Sequence, residues 1–387
     1  MAPPNNAKIM EKLLGMSGAV PSVGRRNVHE YVLRTPSPSL NFCFGHAHGL
    51  PAGFTLQVSG PPKCGKTVFT NSMIAQLHKD DPTAFAVKFD TEMREEGQLT
   101  EEDMVMWGID PSRYICFQTN RPDEVFDRIE NDFLALVQDR GWNLKMVAID
   151  STSQLQGRRA LNATSINTQQ IGDNAATIQE GLKRILPVQR RLRFGLVLTS
   201  HVRAQMDPLE VKRGNKYRIQ SSFGQQHVAE YNLFIEANRN AAGKVDLEGK
   251  SYYDERVEDV AGRGEKTAHR IKCKMIDSTM GPKERSGEFS FDYHNGIINT
   301  WEEVFKLGTG YNIIERPNQL TYAYGGKEYR GKPAIFEALK NDPNLCKGIV
   351  DELRRRDQAN ELSKGAPESV RDGSDPLGDD IPTMDEE

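Results

Sequence analysis

Gly60-Pro-Pro-Lys-Cys-Gly-Lys-Thr67 fits the phosphate-loop pattern G-x-x-x-x-G-K-[ST] at every fixed position. Its glycines let the backbone turn tightly and bring N–H groups onto a polyphosphate. Lys66 can then reach the β- and γ-phosphate oxygens, and the Thr67 hydroxyl can hold Mg²⁺. ATP and Mg²⁺ are therefore the predicted cofactors. The predicted nucleotide contacts are the loop and the residue after it, namely Gly60, Pro61, Pro62, Lys63, Cys64, Gly65, Lys66, Thr67 and Val68.

The sequence on either side of the loop has the order that such a loop requires. Residues 54–59 form a short β-prone run before it, and residues 68–78 read as a helix after it. A strand that leads into the loop and a helix that leaves it are the context in which this motif binds phosphate. The stretch therefore predicts a nucleotide-binding α/β core.

Strands and helices alternate along the chain after the loop. Short apolar runs that each end in polar residues lie at 84–90, 145–150 and 194–199, and helix-like segments lie at 122–139 and 175–193. This alternation predicts an α/β fold in which helices cover a mostly parallel, twisted sheet. In such folds the chemistry lies at the carboxyl ends of the strands.

Three polar residues at predicted strand ends are candidates for the chemistry. Asp150 closes an apolar strand, which suits an anchor for Mg²⁺ and its waters, although an aspartate that caps the next turn is the alternative. Glu92 is a candidate general base that orients a water at the γ-phosphate. His201 ends the next strand, where a polar side chain could sense that phosphate, but a lone histidine is more often structural.

Composition and charge limit the class of protein. The 387 residues are 37% hydrophobic and 27% charged, with five scattered cysteines and no C-x-x-C pair. These values predict a globular protein of a reducing compartment, without a membrane span, a signal peptide or a zinc site. We therefore expect it in the cytoplasm, or in the host cytoplasm if a phage encodes it.

The C-terminal end is strongly acidic. Residues 366–387 carry eight acidic residues and one basic residue, together with three prolines. This composition predicts a disordered tail, which we place at 358–387. It is either a solubilising tail or a polyanion that competes with nucleic acid for a basic surface.

The order and spacing of these motifs resemble the RecA recombinases, with the phage UvsX branch as the nearest suspected group. The resemblance covers roughly residues 35–356. It rests on the phosphate loop together with Gly49-Leu-Pro-Ala-Gly-Phe54, Phe89-Asp-Thr-Glu92, Ile149-Asp-Ser151, Ser222-Phe-Gly-Gln-Gln-His-Val-Ala-Glu-Tyr231 and Tyr322-Ala-Tyr-Gly-Gly-Lys327.

This resemblance implies a role for each matching residue. It implies phosphate contacts from the loop, water activation by Glu92 and a Mg²⁺-side role for Asp150. His201 matches the position that signals between ATP and DNA. The pair Lys272 and Lys274 resembles the Lys-x-Lys that reaches across a filament interface to a neighbour's ATP.

The charge pattern independently indicates a nucleic-acid surface. Residues 183–218 contain ten basic and two acidic residues. The part at 183–193 is helical, and a solvated helix face explains it about as well as a ligand does. Residues 202–222 are weakly periodic and suit a flexible loop for a single-stranded backbone, while 156–173 match the family's first DNA loop. The predicted DNA contacts are Arg158, Arg159, Arg203, Lys212, Arg213, Lys216 and Arg218.

Four segments follow from these patterns. Residues 1–34 are an N-terminal segment that could contact a neighbouring protomer, and 35–300 are the RecA-like ATPase core with its DNA loops. Residues 301–357 form a small C-terminal α/β subdomain, and 358–387 form the tail. The region 238–266 is polar and reads as a hairpin insertion.

Taken together, the residues and the resemblance predict a DNA-dependent ATPase. It would form helical filaments on single-stranded DNA and catalyse homologous pairing and strand exchange with duplex DNA. Single-strand-binding and mediator proteins are candidate accessory partners. Two other classes stay open, a ring-forming RecA-fold helicase or motor and a non-enzymatic recombination mediator that binds ATP and DNA.

Overall fold

A computed structural model describes residues 31–94, 100–157, 173–212, 216–220, 223–238, 244–258, 264–279, 281–292 and 295–362. The predicted N-terminal contact segment therefore lies outside the described residues as far as residue 30, and so does the acidic tail from residue 363. No helix among the described residues is long and apolar enough to cross a membrane.

The strands are numbered here in chain order. They are β1 Val32–Leu33, β2 Leu50–Pro51, β3 Thr55–Gly60, β4 Phe85–Asp90, β5 Tyr114–Gln118, β6 Leu144–Asp150, β7 Gly195–Ala204, β8 Tyr217–Ile219, β9 Tyr231–Ala237, β10 Tyr253–Glu258, β11 Gly264–Lys266, β12 Ala268–Ser278, β13 Ser286–Asp292, β14 Gly296–Ile298, β15 Glu315–Asn318, β16 Thr321–Tyr324 and β17 Lys327–Arg330.

The helices are numbered in the same way. They are α1 Pro38–Cys43, α2 Lys66–Asp80, α3 Glu101–Trp107, α4 Pro122–Asp127, α5 Leu134–Arg140, α6 Asp173–Leu192, α7 Pro208–Lys212, α8 Phe223–Val228, α9 Thr300–Gly310, α10 Gly331–Asn341 and α11 Pro343–Gln358. A π-helical segment, Arg128–Phe133, joins α4 to α5.

Ten strands of the described residues share one sheet in the order β14-β13-β12-β9-β3-β7-β6-β4-β5, with β8 paired to the end of β7. The pairs from β9 to β5 are all parallel, whereas β12, β13 and β14 add an antiparallel extension. The prediction of a mostly parallel sheet flanked by helices is confirmed. The antiparallel extension was not predicted, and the Lys-x-Lys motif on β12 does not indicate the direction in which its strand pairs.

The main apolar core lies between this sheet and the helices α4 to α6. Val87, Phe89, Ile149 and Leu198 come from three neighbouring strands and are fully buried there. Because side chains alternate along a strand, the residues between them point to the opposite face, towards α2. That second face, at the carboxyl ends of β4, β6 and β7, is where the polar residues of the site lie.

A second apolar cluster holds the C-terminal elements together. Trp301, Phe305, Phe336 and Leu353 pack there with Phe42, which belongs to α1 near the start of the core. Helix α11 begins at Pro343, and Asp342 before it accepts hydrogen bonds from two backbone N–H groups of the first turn. The boundary at residue 300 stays a prediction.

A buried ion pair fastens the end of α11 to the core. The guanidinium of Arg285 donates to both oxygens of Asp357, at 2.7 and 2.6 Å, and His48 Nε2 lies 2.9 Å from Asp357 Oδ2. Burial alone raises the pKa of Asp357, but the hydrogen bonds and charges of Arg285 and His48 outweigh it and hold the pKa well below its usual range. The ionised carboxylate therefore stabilises the fold.

We expect Asp357→Asn to lower the free energy of unfolding at pH 7 by about 3–5 kcal/mol, because it leaves the Arg285 charge buried without its partner. A group with a lowered folded-state pKa stabilises above its unfolded pKa and loses that effect as the pH falls. The difference in free energy of unfolding between the parent and the variant should therefore become smaller below about pH 4. Urea unfolding at several pH values measures it.

The matched control is Asp351→Asn on the same helix, where the side chain is half exposed and pairs with Arg354 within α11. We expect a change of about 0.5 kcal/mol or less there. Equal losses in the two variants would contradict a special role for the buried pair.

Candidate nucleotide-binding site

The loop between β3 and α2 can be built only with glycine at two positions. A Cβ atom on Gly60 would lie 2.2 Å from the backbone oxygen of Ile235 on the neighbouring strand β9. Gly65 caps α2 with φ +96°, a left-handed conformation, and a Cβ atom there would lie 2.7 Å from Ile271 Cδ1. Close packing against β9 therefore explains the fixed glycine at position 60, and the left-handed backbone explains the one at position 65.

Lys66 lies buried against this loop at the first position of α2. Its Nζ donates to the backbone oxygens of Gly60 and Pro61, at 2.9 Å each. The start of α2 adds N–H groups and the positive end of a helix dipole, which together favour an anion. Cys64 in the same loop is buried, and burial raises the pKa of its thiol to about 11, so we expect little thiolate there.

Asp150 joins the loop to the sheet. Its Oδ2 accepts a hydrogen bond from Thr67 Oγ1 at 2.8 Å, and its Oδ1 accepts one from Thr199 Oγ1 at 2.5 Å. The sequence predicted Thr67 and Asp150 as separate metal-side residues, and the fold places them in contact. A hydroxyl and a carboxylate beside a phosphate loop are hard oxygen donors, which fit Mg²⁺ held together with nucleotide phosphates.

Glu92 and His201 form a second pair, just beyond the end of β4 and along β7. His201 Nε2 lies 2.8 Å from Glu92 Oε1, and Arg94 Nη1 lies 2.7 Å from Glu92 Oε2. The turn that carries Glu92 is held by Asp90, whose carboxylate accepts from the backbone N–H groups of Glu92 and Arg94 at 3.1 and 2.6 Å. The fold thus brings together the predicted base and the predicted sensor.

A buried polar network behind these pairs was not predicted. Gln225 Nε2 donates to Thr152 Oγ1 at 3.0 Å and to Ser200 Oγ at 2.9 Å, while Thr152 Oγ1 donates to the backbone oxygen of Thr199 at 3.0 Å. It ties α8 to the ends of β6 and β7. Gln225 lies in the motif 222–231, but the motif does not say which hydroxyl residues of distant segments the glutamine contacts.

The basic region after His201 is more ordered than predicted. Strand β7 continues to Ala204 and pairs antiparallel with β8, so that Arg203 lies opposite Arg218. The expectation of an aperiodic loop over 202–222 is wrong at these strands, because Val202 and Ile219 are buried against Phe234 and fix the hairpin. We call the paired segment 202–204 with 217–219 the basic hairpin.

Of the other predicted DNA contacts, two lie among the described residues and three lie outside them. Lys212 ends the short helix α7, and Lys216 lies just before β8, where it is exposed. Arg158, Arg159 and Arg213 lie outside the described residues.

Three curated relatives align along most of the chain, and each bears the name Protein RecA. The relative from Streptomyces rimosus is 22% identical over 341 residues, which cover 88% of this chain and 81% of the relative. The relative from Wigglesworthia glossinidia brevipalpis is 22% identical, with 90% and 97% covered, and the one from Aquifex aeolicus is 20% identical, with 89% of each covered. No protein-family model matches the chain.

The chain has RecA-family homologues over most of its length. Together with the observed sheet and its flanking helices, they confirm the predicted RecA-like α/β core. They do not distinguish the phage branch, which stays a prediction.

Two lysines that the RecA resemblance singled out lie on a different strand from the one that leads into the loop. Lys272 and Lys274 are on β12, which is separated from β3 by β9, and Lys274 Nζ lies 3.8 Å from Glu284 Oε1. Their predicted role towards a neighbouring protomer's ATP stays a prediction.

The basic face of α6 has internal partners. Arg184 pairs with Asp127 at 2.8 Å and also with Glu130. Arg190 pairs with Glu230 and lies over the ring of Phe54. These contacts favour a structural role for Arg184 and Arg190.

We expect Lys66→Ala to weaken binding of a fluorescent ATP analogue by about tenfold or more, because it removes the cation that faces the phosphates. Lys79→Ala, at the exposed far end of α2, removes the same charge without touching the loop and serves as the control. Circular dichroism of both variants checks the fold. Parental affinity in folded Lys66→Ala would contradict the assigned site.

Proposed function

We propose that the protein is an ATP-dependent recombinase that forms helical filaments on single-stranded DNA and catalyses homologous pairing and strand exchange. One observation carries this proposal. A single strand, β7, bears the hydroxyl that bonds Asp150, the imidazole that bonds Glu92, and the first arginine of the basic hairpin, at Thr199, His201 and Arg203. Residues two apart on a strand share one face, so these three groups form a continuous row.

The proposed chemistry assigns each group a task. The loop N–H groups and Lys66 bind the phosphates of ATP. Thr67 and Asp150 would hold the Mg²⁺ ion that accompanies them. Bound Mg²⁺ would neutralise charge on the β- and γ-phosphates. Glu92 orients the attacking water, for which one of its oxygens must leave His201 or Arg94.

The row on β7 supplies a link from DNA to ATP. A backbone bound at Arg203 and Arg218 would restrain the outer half of β7, and His201 lies two residues inward. A small shift of the His201 ring would free Glu92 Oε1, which lies 2.8 Å away. Gln225 supports this link, since it bonds Ser200 on the opposite face of the strand. We therefore propose His201 as the residue that senses DNA for the ATP site.

The remaining assignments complete the proposal. Lys272 and Lys274 would face the ATP of an adjacent protomer in the filament, and duplex DNA would be the second partner. Placement in the UvsX-like branch and in a host cytoplasm rests on the motif resemblance. The RecA names of the homologues support the recombination and repair role.

Electron microscopy with single-stranded DNA and a slowly hydrolysed ATP analogue tests the proposal. We expect helical filaments whose formation requires both ligands. Glu92→Gln should give the same filaments with ATP itself and keep them for longer, because binding is retained while hydrolysis is slowed. Closed rings would favour a helicase or motor, and isolated particles that bind both ligands without turnover would favour a mediator.

The basic hairpin makes a separate prediction. Replacing Arg203, Lys216 and Arg218 together by alanine should weaken single-stranded DNA binding. It should also flatten the dependence of log affinity on log salt by about 0.7 for each DNA phosphate that the variant no longer neutralises. DNA-stimulated hydrolysis should fall with it, whereas basal hydrolysis should persist because the phosphate loop is untouched.

The comparison variant is Lys183→Ala with Arg191→Ala, which removes two positive charges from α6 instead of three from the hairpin region. We expect that pair to change the salt slope little. If the α6 variant flattens the slope and the hairpin variant keeps it, the DNA path runs over α6.

A further inference from the structure

Strand β4 carries a lysine in the interior of the protein. Val87 and Phe89 point into the apolar core beneath α4 to α6, so Lys88 between them points to the other face, towards α2. Its side chain is 1% exposed. Because an ammonium group is costly to bury unless it is hydrogen-bonded and close to an opposite charge, its partners determine what it can do.

Two of its neighbours, Asn71 and Asp150, lie beside Thr67 of the proposed phosphate site. Lys88 Nζ donates to Asn71 Oδ1 at 3.2 Å and lies 3.9 Å from Asp150 Oδ2. The same oxygen of Asp150 accepts the hydrogen bond from Thr67. Asn71 lies one helical turn after Thr67 on α2. Lys88 therefore lies directly behind the Thr67–Asp150 pair, on the protein side of it.

We propose that Lys88 is a positioning residue whose charge lowers the affinity of the Thr67–Asp150 pair for Mg²⁺, so that the metal enters with ATP and not alone. This inference rests on the proposed nucleotide site. A fixed positive charge close to Asp150 offsets part of the carboxylate charge and repels a divalent cation bound nearby. The phosphates of ATP supply the negative charge that overcomes this repulsion.

The distances decide between two effects of Lys88. If it mainly oriented Asp150, its removal would weaken Mg²⁺ binding. However, the carboxylate is already held by hydrogen bonds from Thr67 at 2.8 Å and Thr199 at 2.5 Å, one on each oxygen. Lys88 Nζ lies at 3.9 Å, beyond a hydrogen bond. Its charge is therefore the larger contribution, and removal should strengthen Mg²⁺ binding.

The test titrates MgCl₂ at a fixed concentration of a fluorescent, slowly hydrolysed ATP analogue, in the full chain. In Lys88→Met and Lys88→Gln, which remove the charge, we expect the half-saturating Mg²⁺ concentration to fall roughly threefold or more. Without nucleotide, added Mg²⁺ should raise the thermal unfolding temperature of these variants more than that of the parent. Lys88→Arg, which keeps the charge, should retain the parental Mg²⁺ dependence.

Lys145→Met is the control, because it removes one lysine charge from the neighbouring strand β6 at the end away from the site. It should leave the Mg²⁺ dependence unchanged. A parental or raised Mg²⁺ requirement in both neutral Lys88 variants would overturn the inference. Failure of both to fold while Lys88→Arg folds would also overturn it, since Lys88 would then be structural. A parent that binds no ATP analogue would instead refute the proposed function.

Discussion

The Asp150 carboxylate is the group on which the geometry of the site depends. It accepts one hydroxyl from the start of α2 and another from β7, so a single side chain at the end of β6 fixes the phosphate loop against the sheet. A buried carboxylate whose oxygens lose their donors is costly, so both threonines are constrained by the same group. The position of the loop, and with it that of Lys66, follows from this contact.

Strand β7 connects the Asp150 contact to the basic hairpin. Its inner half is central in the sheet, between β3 and β6, while its outer half pairs with β8 alone. The inner half is held on both sides and the outer half on one. Because the residue that bonds Glu92 lies at the junction, a ligand on the basic hairpin would act on the least restrained part of the strand that reaches the ATP site.

The sequence predicted the parts of the site that a fixed chemistry requires. A phosphate loop needs its glycines, lysine and hydroxyl at fixed spacing, and acidic residues at strand ends are expected beside it, so the sequence singled out Thr67, Asp150 and Glu92 as candidates. Gln225 and Lys88 were missed because their roles depend on contacts between distant segments. The sequence did contain a sign of a buried polar role for Lys88, since this lysine interrupts the apolar run 84–90. However, the pattern alone does not say which groups a buried lysine would contact.

The distribution of charge shows why position matters more than number. Lys88, Arg184 and Arg218 count equally in the net charge of the chain, but they face three different surroundings. Lys88 is enclosed beside Asp150, where its charge would act on the proposed metal site at short range and with little screening. Arg184 is paired with two carboxylates of the helical layer.

Arg218 is exposed on the hairpin directly opposite Arg203. Like charges in opposite positions of a strand pair are unfavourable for the sheet itself. An anion bound across both arginines would lessen that repulsion, and a phosphate backbone is an anion of this kind. This local arrangement, rather than the overall basic count of residues 183–218, is the physical argument for the DNA surface that we propose at the hairpin.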